Sequence, residues 1–227
     1  MDIKNIKKKF PIFKQKINGK PLVYLDSANS SQKPKVVIDK ISNFYETEFS
    51  NVGRSVHTLA VKATNRFEAT RDKIQKYLNA KHREEIIFTK GATEAINLVA
   101  SSYGKKYIKK GDEILITELE HHSNYVPWNF LRTEKGAVIK FAQINEDGDV
   151  EIEEIKKLIT SKTKIIAITH ISNVTGAVLP ITKIVDLAKE KNIPVLIDGT
   201  QGAPHSAIDM QKIGCDFYAI SCHKMYG

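Results

Sequence analysis

The sequence predicts an α/β fold whose sheet is predominantly parallel and covered by helices. Short apolar runs rich in Ile and Val alternate with stretches of helical periodicity from about residue 84 onward. This alternation is typical of β-α-β units, because strands buried on both faces read as nearly continuous apolar runs. Hydrophobic residues make up 41% of the 227 residues, so the chain can build a sizeable core.

Each element is predicted from its own local pattern. Residues 1–20 read as a short basic helix and a proline-containing connector, and apolar spacing predicts helices over 35–45 and 61–78. Apolar, β-branched runs then predict six strands: EEIIFT (84–89), DEILIT (112–117), AVIKFAQI (137–144), KIIAITHI (164–171), IPVLID (193–198) and DFYAIS (216–221). Helices are predicted after the first four of them, in ATEAINLVASSYG, SNYVPWNFLRTEKG, EIEEIKKLI and ITKIVDLAKEKN.

We expect two regions along the chain. Residues 1–20 form an N-terminal arm, and residues 21–227 form one large α/β domain with no internal repeat or low-complexity linker. The last predicted strand ends only a few residues before Gly227, so we expect this domain to be incomplete at its C-terminal side.

Charge and cysteine content exclude several classes of function. The formal net charge is +9, but the lysines are spread along the chain and the only dense run is residues 7–9. Nucleic-acid binding needs clustered positive charge, so we do not expect it. Two cysteines make no disulfide framework and fit a reducing compartment. No apolar run reaches the ~20 residues of a membrane span, and the N-terminus lacks a signal-peptide core, so we expect a cytoplasmic protein.

Polar residues that follow the predicted strands are the candidates for function, because open parallel sheets bind ligands beyond the carboxyl ends of their strands. After the first strand, Gly91, Ala92 and Thr93 enter a helix. A glycine and the free N–H groups of a helix start favour an anion such as phosphate. An ordinary N-cap made by Thr93 is the alternative.

Two histidines, His121 and His122, follow the second strand. Adjacent side chains diverge and no third ligand has suitable spacing, so we expect no zinc or other metal. One imidazole could instead stack on a ligand ring or act as an acid or base near neutral pH. Two exposed loop histidines without a function are the alternative.

The last three strands are followed by an amide, a carboxylate and an amine. Asn173 lies in the polar turn SNVTG, which could equally be turn chemistry alone. Asp198, followed by Gln201, is costly to bury unless it is paired, or it is a helix N-cap. Lys224 follows Ser221 and His223, and is either a nucleophilic amine or a side chain that reaches solvent.

As a set these residues indicate pyridoxal 5′-phosphate (PLP). The cofactor offers an aldehyde for a lysine, a phosphate for a helix start and a pyridine nitrogen for an aspartate. A carboxylate at that nitrogen keeps it protonated, so that the ring can act as an electron sink.

The chain resembles the class V aminotransferase family of PLP fold type I, and within it the SufS-like cysteine desulfurases. The motifs that carry the resemblance run over almost the whole chain: YLDSANSSQKP, GATEAINLVA, ELEHHSNYVPW, ITHISNVTGAVLP, VLIDGTQGAPH and CDFYAISCHKMYG. Within these, EHHSN-x-VPW is the most specific and distinguishes the SufS-like group.

The resemblance implies a role for each matching residue. Lys224 would bond to the cofactor aldehyde and later move a proton, and His121 would stack on the pyridine ring and take part in acid–base steps. Asp198 would pair with the pyridine nitrogen. Contacts to the phenolic oxygen would come from Asn173 and Gln201, and contacts to the phosphate from the Ala92 backbone, Thr93, Ser221 and His223.

The same resemblance implies a reaction and its partners. It is the conversion of L-cysteine to L-alanine, with sulfur passed through an enzyme cysteine to an acceptor protein for iron–sulfur cluster assembly, in a homodimer. The alternatives are a selenocysteine lyase or another class V enzyme, and a non-catalytic, truncated scaffold or dimerisation module.

Two substitutions and the length depart from the family. Cys222 stands where a glycine or another small residue is usual, and would crowd the phosphate pocket or be a small buried apolar residue. Gly53 replaces a common histidine, while Arg54 and His57 are kept. The family continues for about as many residues again, with the sulfur-accepting cysteine and an arginine for the substrate carboxylate. Neither Cys215 nor Cys222 matches that cysteine.

Overall fold

The computed structural model describes residues 2–227, which form two compact units. The first unit comprises residues 2–77, 82–86 and 222–227, and the second unit comprises residues 78–81 and 87–221. The boundaries at residues 20 and 21 that the sequence suggested stay a prediction.

The first unit is built mainly of helices. Its elements are α1 (Ile3–Lys8), a 3-10 turn (Pro11–Lys14), β1 (Lys16–Ile17), β2 (Lys20–Pro21), α2 (Lys35–Thr47), α3 (Thr58–Leu78, whose last residue belongs to the second unit), and 3-10 turns at Arg83–Glu85 and Cys222–Lys224. The predicted helices are confirmed. The sequence prediction omits the antiparallel β1–β2 hairpin, whose Asn18 and Gly19 have φ of 52° and 76°, as a tight two-residue turn requires.

The second unit contains a five-stranded parallel sheet. Its strands are β3 (Glu113–Thr117), β4 (Val138–Ala142), β5 (Thr163–Thr169), β6 (Val195–Asp198) and β7 (Phe217–Ala219), in the order β4-β3-β5-β6-β7. Every neighbouring pair is parallel. Five of the six predicted strands and the predicted fold class are therefore confirmed.

Helices flank this sheet, and their apolar side chains form the core together with those of the strands. They are α4 (Ala92–Val99), a π-helical turn (Ala100–Gly104), α5 (Lys105–Tyr107), α6 (Val126–Lys135), α7 (Ile152–Leu158), α8 (Ile181–Lys189), α9 (Gly202–His205) and α10 (Met210–Ile213). Ile96 of α4 and Trp128 of α6 are completely buried with Ile114 and Ile116 of β3 and Ile165 of β5. No helix within residues 2–227 combines the length and the apolar character needed to cross a membrane.

The predicted strand over residues 84–89 is wrong. Arg83–Glu85 form a 3-10 turn, and residues 86–89 do not form a strand. A strand exists only through a ladder with a neighbour, and the edges of the sheet lie at β4 and β7. Ile87 is consequently 68% exposed despite its apolar side chain.

Candidate active site

The carboxyl ends of β3, β5, β6 and β7 lie along one edge of the sheet, because these strands are parallel neighbours. His121 follows β3, Asn173 follows β5, Asp198 ends β6 and Ser221 follows β7. In parallel sheets this edge is where ligands bind. The second unit thus brings together four of the predicted residues, along with Gln201.

The start of α4 lies against the end of β7. The backbone N–H of Ala92 donates to Ser221 Oγ at 2.9 Å, and both residues are buried. Gly91 precedes them with a φ of 148°, and an added Cβ there would lie 3.3 Å from Ser221 Oγ. Only glycine adopts this backbone easily, so Gly91 lets the helix start approach Ser221. Thr93, in the first turn, is exposed, so its hydroxyl is open to a ligand.

Asp198 is held at the end of β6 by the turn that follows it. It is 3% exposed, and its Oδ1 accepts a hydrogen bond from the Thr200 N–H at 3.0 Å. Gln201 is also buried and stands directly before α9. A buried carboxylate and a buried amide thus sit on one short turn.

The buried ring of His170 and the half-buried ring of Tyr218 lie against this turn. His170 Nδ1 and Tyr218 Oη form a hydrogen bond of 2.8 Å. An added Cβ would lie 2.0 Å from the Tyr218 ring at Gly199 and 2.2 Å from the His170 ring at Gly202. Burial lowers the pKa of His170 and raises that of Tyr218, so both rings are neutral near pH 7. The 198–202 turn therefore packs on two uncharged rings, and it can come this close because Gly199 and Gly202 have no side chain.

His121 is exposed and its ring is oriented by Ser123. The Ser123 N–H donates to His121 Nδ1 at 3.2 Å, and Ser123 Oγ lies 2.6 Å from the same nitrogen. A backbone N–H can only donate, so Nδ1 acts as an acceptor and the neutral ring carries its proton on Nε2. Asn173, on the turn after β5, is likewise exposed.

A half-buried acid at this edge, Glu120, was missed by the sequence reasoning. Glu120 Oε1 accepts hydrogen bonds from Thr117 Oγ1 at 2.7 Å and the Thr169 N–H at 2.9 Å. Its Oε2 accepts from Asn124 Nδ2 at 2.6 Å. Burial of the carboxyl raises the pKa of Glu120 to about 8, assisted by the charge of Asp198 and opposed by these three hydrogen bonds.

Lys224 and His223 belong to the first unit. The carbonyl oxygen of His223, in the peptide bond that joins it to Lys224, accepts from the Ser31 N–H at 3.0 Å and Ser31 Oγ at 3.0 Å. It also accepts from Lys33 Nζ at 2.8 Å. Tyr226 N–H in turn donates to Ser31 Oγ at 2.8 Å. The SSQKP part of the first motif therefore fixes the peptide plane beside Lys224, a role that the sequence did not reveal.

The structure describes the two positions, Cys222 and Gly53, at which the sequence departs from the family pattern. Cys222 is exposed at the start of a 3-10 turn, so its interpretation as a buried apolar residue is wrong. Gly53 has a φ of 140°, which a histidine would adopt only with strain.

Burial raises the pKa of the Cys215 thiol to about 12, so Cys215 is a poor sulfur nucleophile. Among residues 2–227, no three His, Cys, Asp or Glu side chains group as metal ligands would.

Comparison with known proteins shows the family of this chain. The class V aminotransferase family matches residues 23–227. A probable cysteine desulfurase of Halalkalibacterium halodurans is 49% identical over 227 residues, which are 100% of this chain and 56% of that protein. The chain thus spans about half the length of this curated relative.

Solved structures show the same likeness. The cysteine desulfurase CsdA of Escherichia coli has a TM-score of 0.87 at 35% identity, over 100% of this chain and 56% of its own. The cysteine desulfurase of Thermococcus onnurineus NA1 has a TM-score of 0.90 at 31% identity, over 97% of this chain and 53% of its own. The chain belongs to the class V aminotransferase family, which is PLP-dependent, and it is a homologue of cysteine desulfurases.

Proposed function

We propose that this chain carries the cofactor-binding part of a PLP-dependent cysteine desulfurase, which converts L-cysteine to L-alanine. The observation that carries the proposal is the family match over residues 23–227, together with the polar residues at the strand ends of the second unit. Transfer of the sulfur to an acceptor protein for iron–sulfur cluster assembly, in a cytoplasmic homodimer, is part of the proposal and is supported by the sequence motifs alone.

The residues of the second unit fit the chemistry of PLP. Asp198 is a buried carboxylate with one backbone N–H on Oδ1, and a protonated pyridine nitrogen would offset the cost of its burial. Gly91 allows close approach to the start of α4, where a phosphate is favoured. The Ala92 N–H already donates to Ser221 Oγ, so we expect a phosphate to share or replace that bond.

When bound, PLP supplies an electron sink for bonds that break next to the substrate amino group. The residues of the chain would bind and orient it. In the second unit, Asp198 would hold a proton at the pyridine nitrogen, and Gln201 and Asn173 would donate to the phenolic oxygen. Thr93 and Ser221 would bind the phosphate, and His121 would stack on the ring with its proton on Nε2. In the first unit, His223 would bind the phosphate, and Lys224 would supply the amine for the aldehyde and later carry a proton.

A PLP titration tests the first half of the proposal. Wild-type protein should bind PLP and develop a visible absorption band. Lys224→Ala should lose that band, whereas Lys191→Ala, an exposed lysine at the opposite end of the sheet, should keep it. A wild-type chain that keeps no absorption band once free PLP has been removed would count against cofactor binding and favour the non-catalytic scaffold.

Product analysis tests the second half. Equal release of alanine from cysteine and from selenocysteine would favour a selenocysteine lyase or a broader class V enzyme. We expect alanine from L-cysteine only when a sulfur-accepting thiolate is supplied, because Cys215 is held as a thiol and Cys222 does not match the sulfur-accepting position of the family. Turnover in the Cys215→Ser variant at the wild-type rate would agree with this assignment.

A further inference from the structure

The motif EHHSNYVPW contains a chain of hydrogen bonds that the proposed role of His121 does not explain. Its members, Glu120, Asn124 and Trp128, are spaced by four residues. Trp128 Nε1–H donates to Asn124 Oδ1 at 3.0 Å, and Asn124 Nδ2 donates to Glu120 Oε2 at 2.6 Å. Asn124 and Trp128 are completely buried. The chain therefore runs from the core of the second unit to the residue beside His121.

Glu120 joins this chain to two strands. Its other oxygen, Oε1, accepts from Thr117 at the end of β3 and from the Thr169 N–H at the end of β5. One carboxyl group thus ties together the ends of two neighbouring strands and the turn His122–Asn124. A half-buried carboxyl with three donors is expensive to move, because each donor would lose its partner.

We propose that Glu120 is a positioning residue, whose carboxyl group holds the His122–Asn124 turn and thereby fixes the orientation and tautomer of His121. Backbone hydrogen bonds connect this turn directly to His121. The Asn124 N–H donates to the carbonyl oxygen of His121 at 2.8 Å, and the Ser123 N–H donates to His121 Nδ1. Releasing the Asn124 side chain frees the turn, and the Ser123 N–H leaves the ring.

The protonation of Glu120 is consistent with this role. Withdrawal of the carboxyl from water raises its pKa to about 8, and the negative charge of Asp198 acts in the same direction. A neutral Glu120 carries its proton on Oε1, where the Thr117 hydroxyl can accept it, so that Oε2 still accepts from Asn124 Nδ2. The importance of His121 rests on the proposed function, but the geometry that Glu120 imposes does not.

The test uses the full chain without PLP, labelled with 15N-histidine. The His121 signal is assigned by its loss in His121→Gln. In the wild type we expect the ring to show the single Nε2–H tautomer. In Glu120→Gln the new amide NH2 faces the Asn124 NH2, so we expect mixed tautomers. Amide exchange at Ser123 and Asn124 should rise on the order of tenfold, as for the loss of one hydrogen bond.

A compensating pair separates positioning from general stability. In Glu120→Gln with Asn124→Asp, the glutamine donates to the new aspartate, which still accepts from Trp128 Nε1. We expect the single tautomer and slow exchange to return. Glu146→Gln, the same change at an exposed glutamate, is the matched control and should have no effect. If Glu120→Gln does not fold, Glu120→Asp, too short to reach Asn124, takes its place.

Two results would overturn the proposal. One is a single Nε2–H tautomer of His121 in Glu120→Gln, as in the wild type. The other is a double variant that keeps the mixed tautomers and fast amide exchange of Glu120→Gln. PLP affinity, measured in parallel by titration, should fall about tenfold in Glu120→Gln and recover in the pair. A wild type that binds no PLP speaks against the proposed function alone, because the tautomer and exchange data are collected without cofactor.

Discussion

The two units place their functional residues in different ways. In the second unit, His121 follows β3 and Asp198 ends β6, and both strands are buried at every position. Ile114, Leu115 and Ile116 of β3 are completely buried. In the first unit, large apolar residues stay in solvent, including Leu25 at 91% and Val56 at 94% exposure. Lys224 there is positioned by hydrogen bonds to the neighbouring peptide group.

This difference separates two ways of holding an active-site residue. A close-packed sheet resists any change of volume, so its strand ends are rigid supports. A segment held by a few polar contacts depends on each of them. We therefore expect substitutions in the second unit to act on global stability, and substitutions around Lys224 to act locally.

The largest difference between the units should appear with an isoleucine deletion. Ile116→Ala removes a completely buried side chain from β3 and should lower the free energy of unfolding by about 2–5 kcal/mol. Ile41→Ala makes the same change on α2, where the side chain is 54% exposed, and should cost less than about 1 kcal/mol. Urea unfolding monitored by circular dichroism measures both. Equal losses would contradict the comparison.

The next largest effect should be the pH dependence of the free energy of unfolding. The pKa of Glu120 rises from 4.5 to about 8 on folding, so the folded chain binds more protons between these values. Its contribution to stability is therefore present below pH 4.5 and is lost as the pH rises through about 8. The slope is about 1.4 kcal/mol per pH unit at most.

The measurement is the difference in unfolding free energy between wild type and Glu120→Gln from pH 5 to pH 9. His170, whose pKa is lowered by burial, titrates in both proteins and cancels. A difference that does not vary with pH would show that Glu120 is ionised in the folded chain.

A smaller effect is expected at Gly199. A Cβ there would lie 2.0 Å from the Tyr218 ring, so Gly199→Ala should push the ring or the 198–202 turn aside. We expect a loss of about 1–3 kcal/mol and weaker PLP binding, because Asp198 and Gln201 lie on this turn. Gly227→Ala, where a Cβ meets nothing closer than 3.9 Å, is the control in the first unit. Thermal melts and PLP titration should show no change for it.

The smallest expected effect lies beside Lys224. Lys33→Met removes one of the donors to the His223 carbonyl and should cost about 1 kcal/mol locally. Amide exchange at Tyr226, which donates to Ser31, should become faster while the unfolding midpoint hardly moves. Lys14→Met, at an exposed residue, is the control. A large drop in the unfolding midpoint would show that Lys33 supports more than this segment.

Much of the second unit could be predicted from sequence, because its strands are mainly apolar and their ends are marked by polar residues. Asp198 stood out as a carboxylate directly after an apolar run. The segment 84–89 has the same composition, yet composition cannot supply the neighbouring strand that a ladder needs. Residue pattern alone therefore predicts a strand but not its pairing.

Contacts between distant residues could not be predicted either. Nothing in SSQKP indicates that Ser31 and Lys33 hold the carbonyl of a residue about 190 positions away. Glu120 reads as one more charged loop residue. The signal that could have revealed it is the spacing of Glu120, Asn124 and Trp128 by four, which aligns polar side chains along one face of a helical segment.

The most direct test of cofactor attachment is to locate the bond. Wild-type chain is incubated with PLP, reduced with borohydride, digested and analysed by mass spectrometry. We predict the added mass of reduced PLP on Lys224, and its absence from that peptide in Asp198→Ala, where the pyridine nitrogen has lost its partner. Label spread over exposed lysines such as Lys164 and Lys191, with none enriched at Lys224, would contradict the assignment of this chain as a PLP-binding protein.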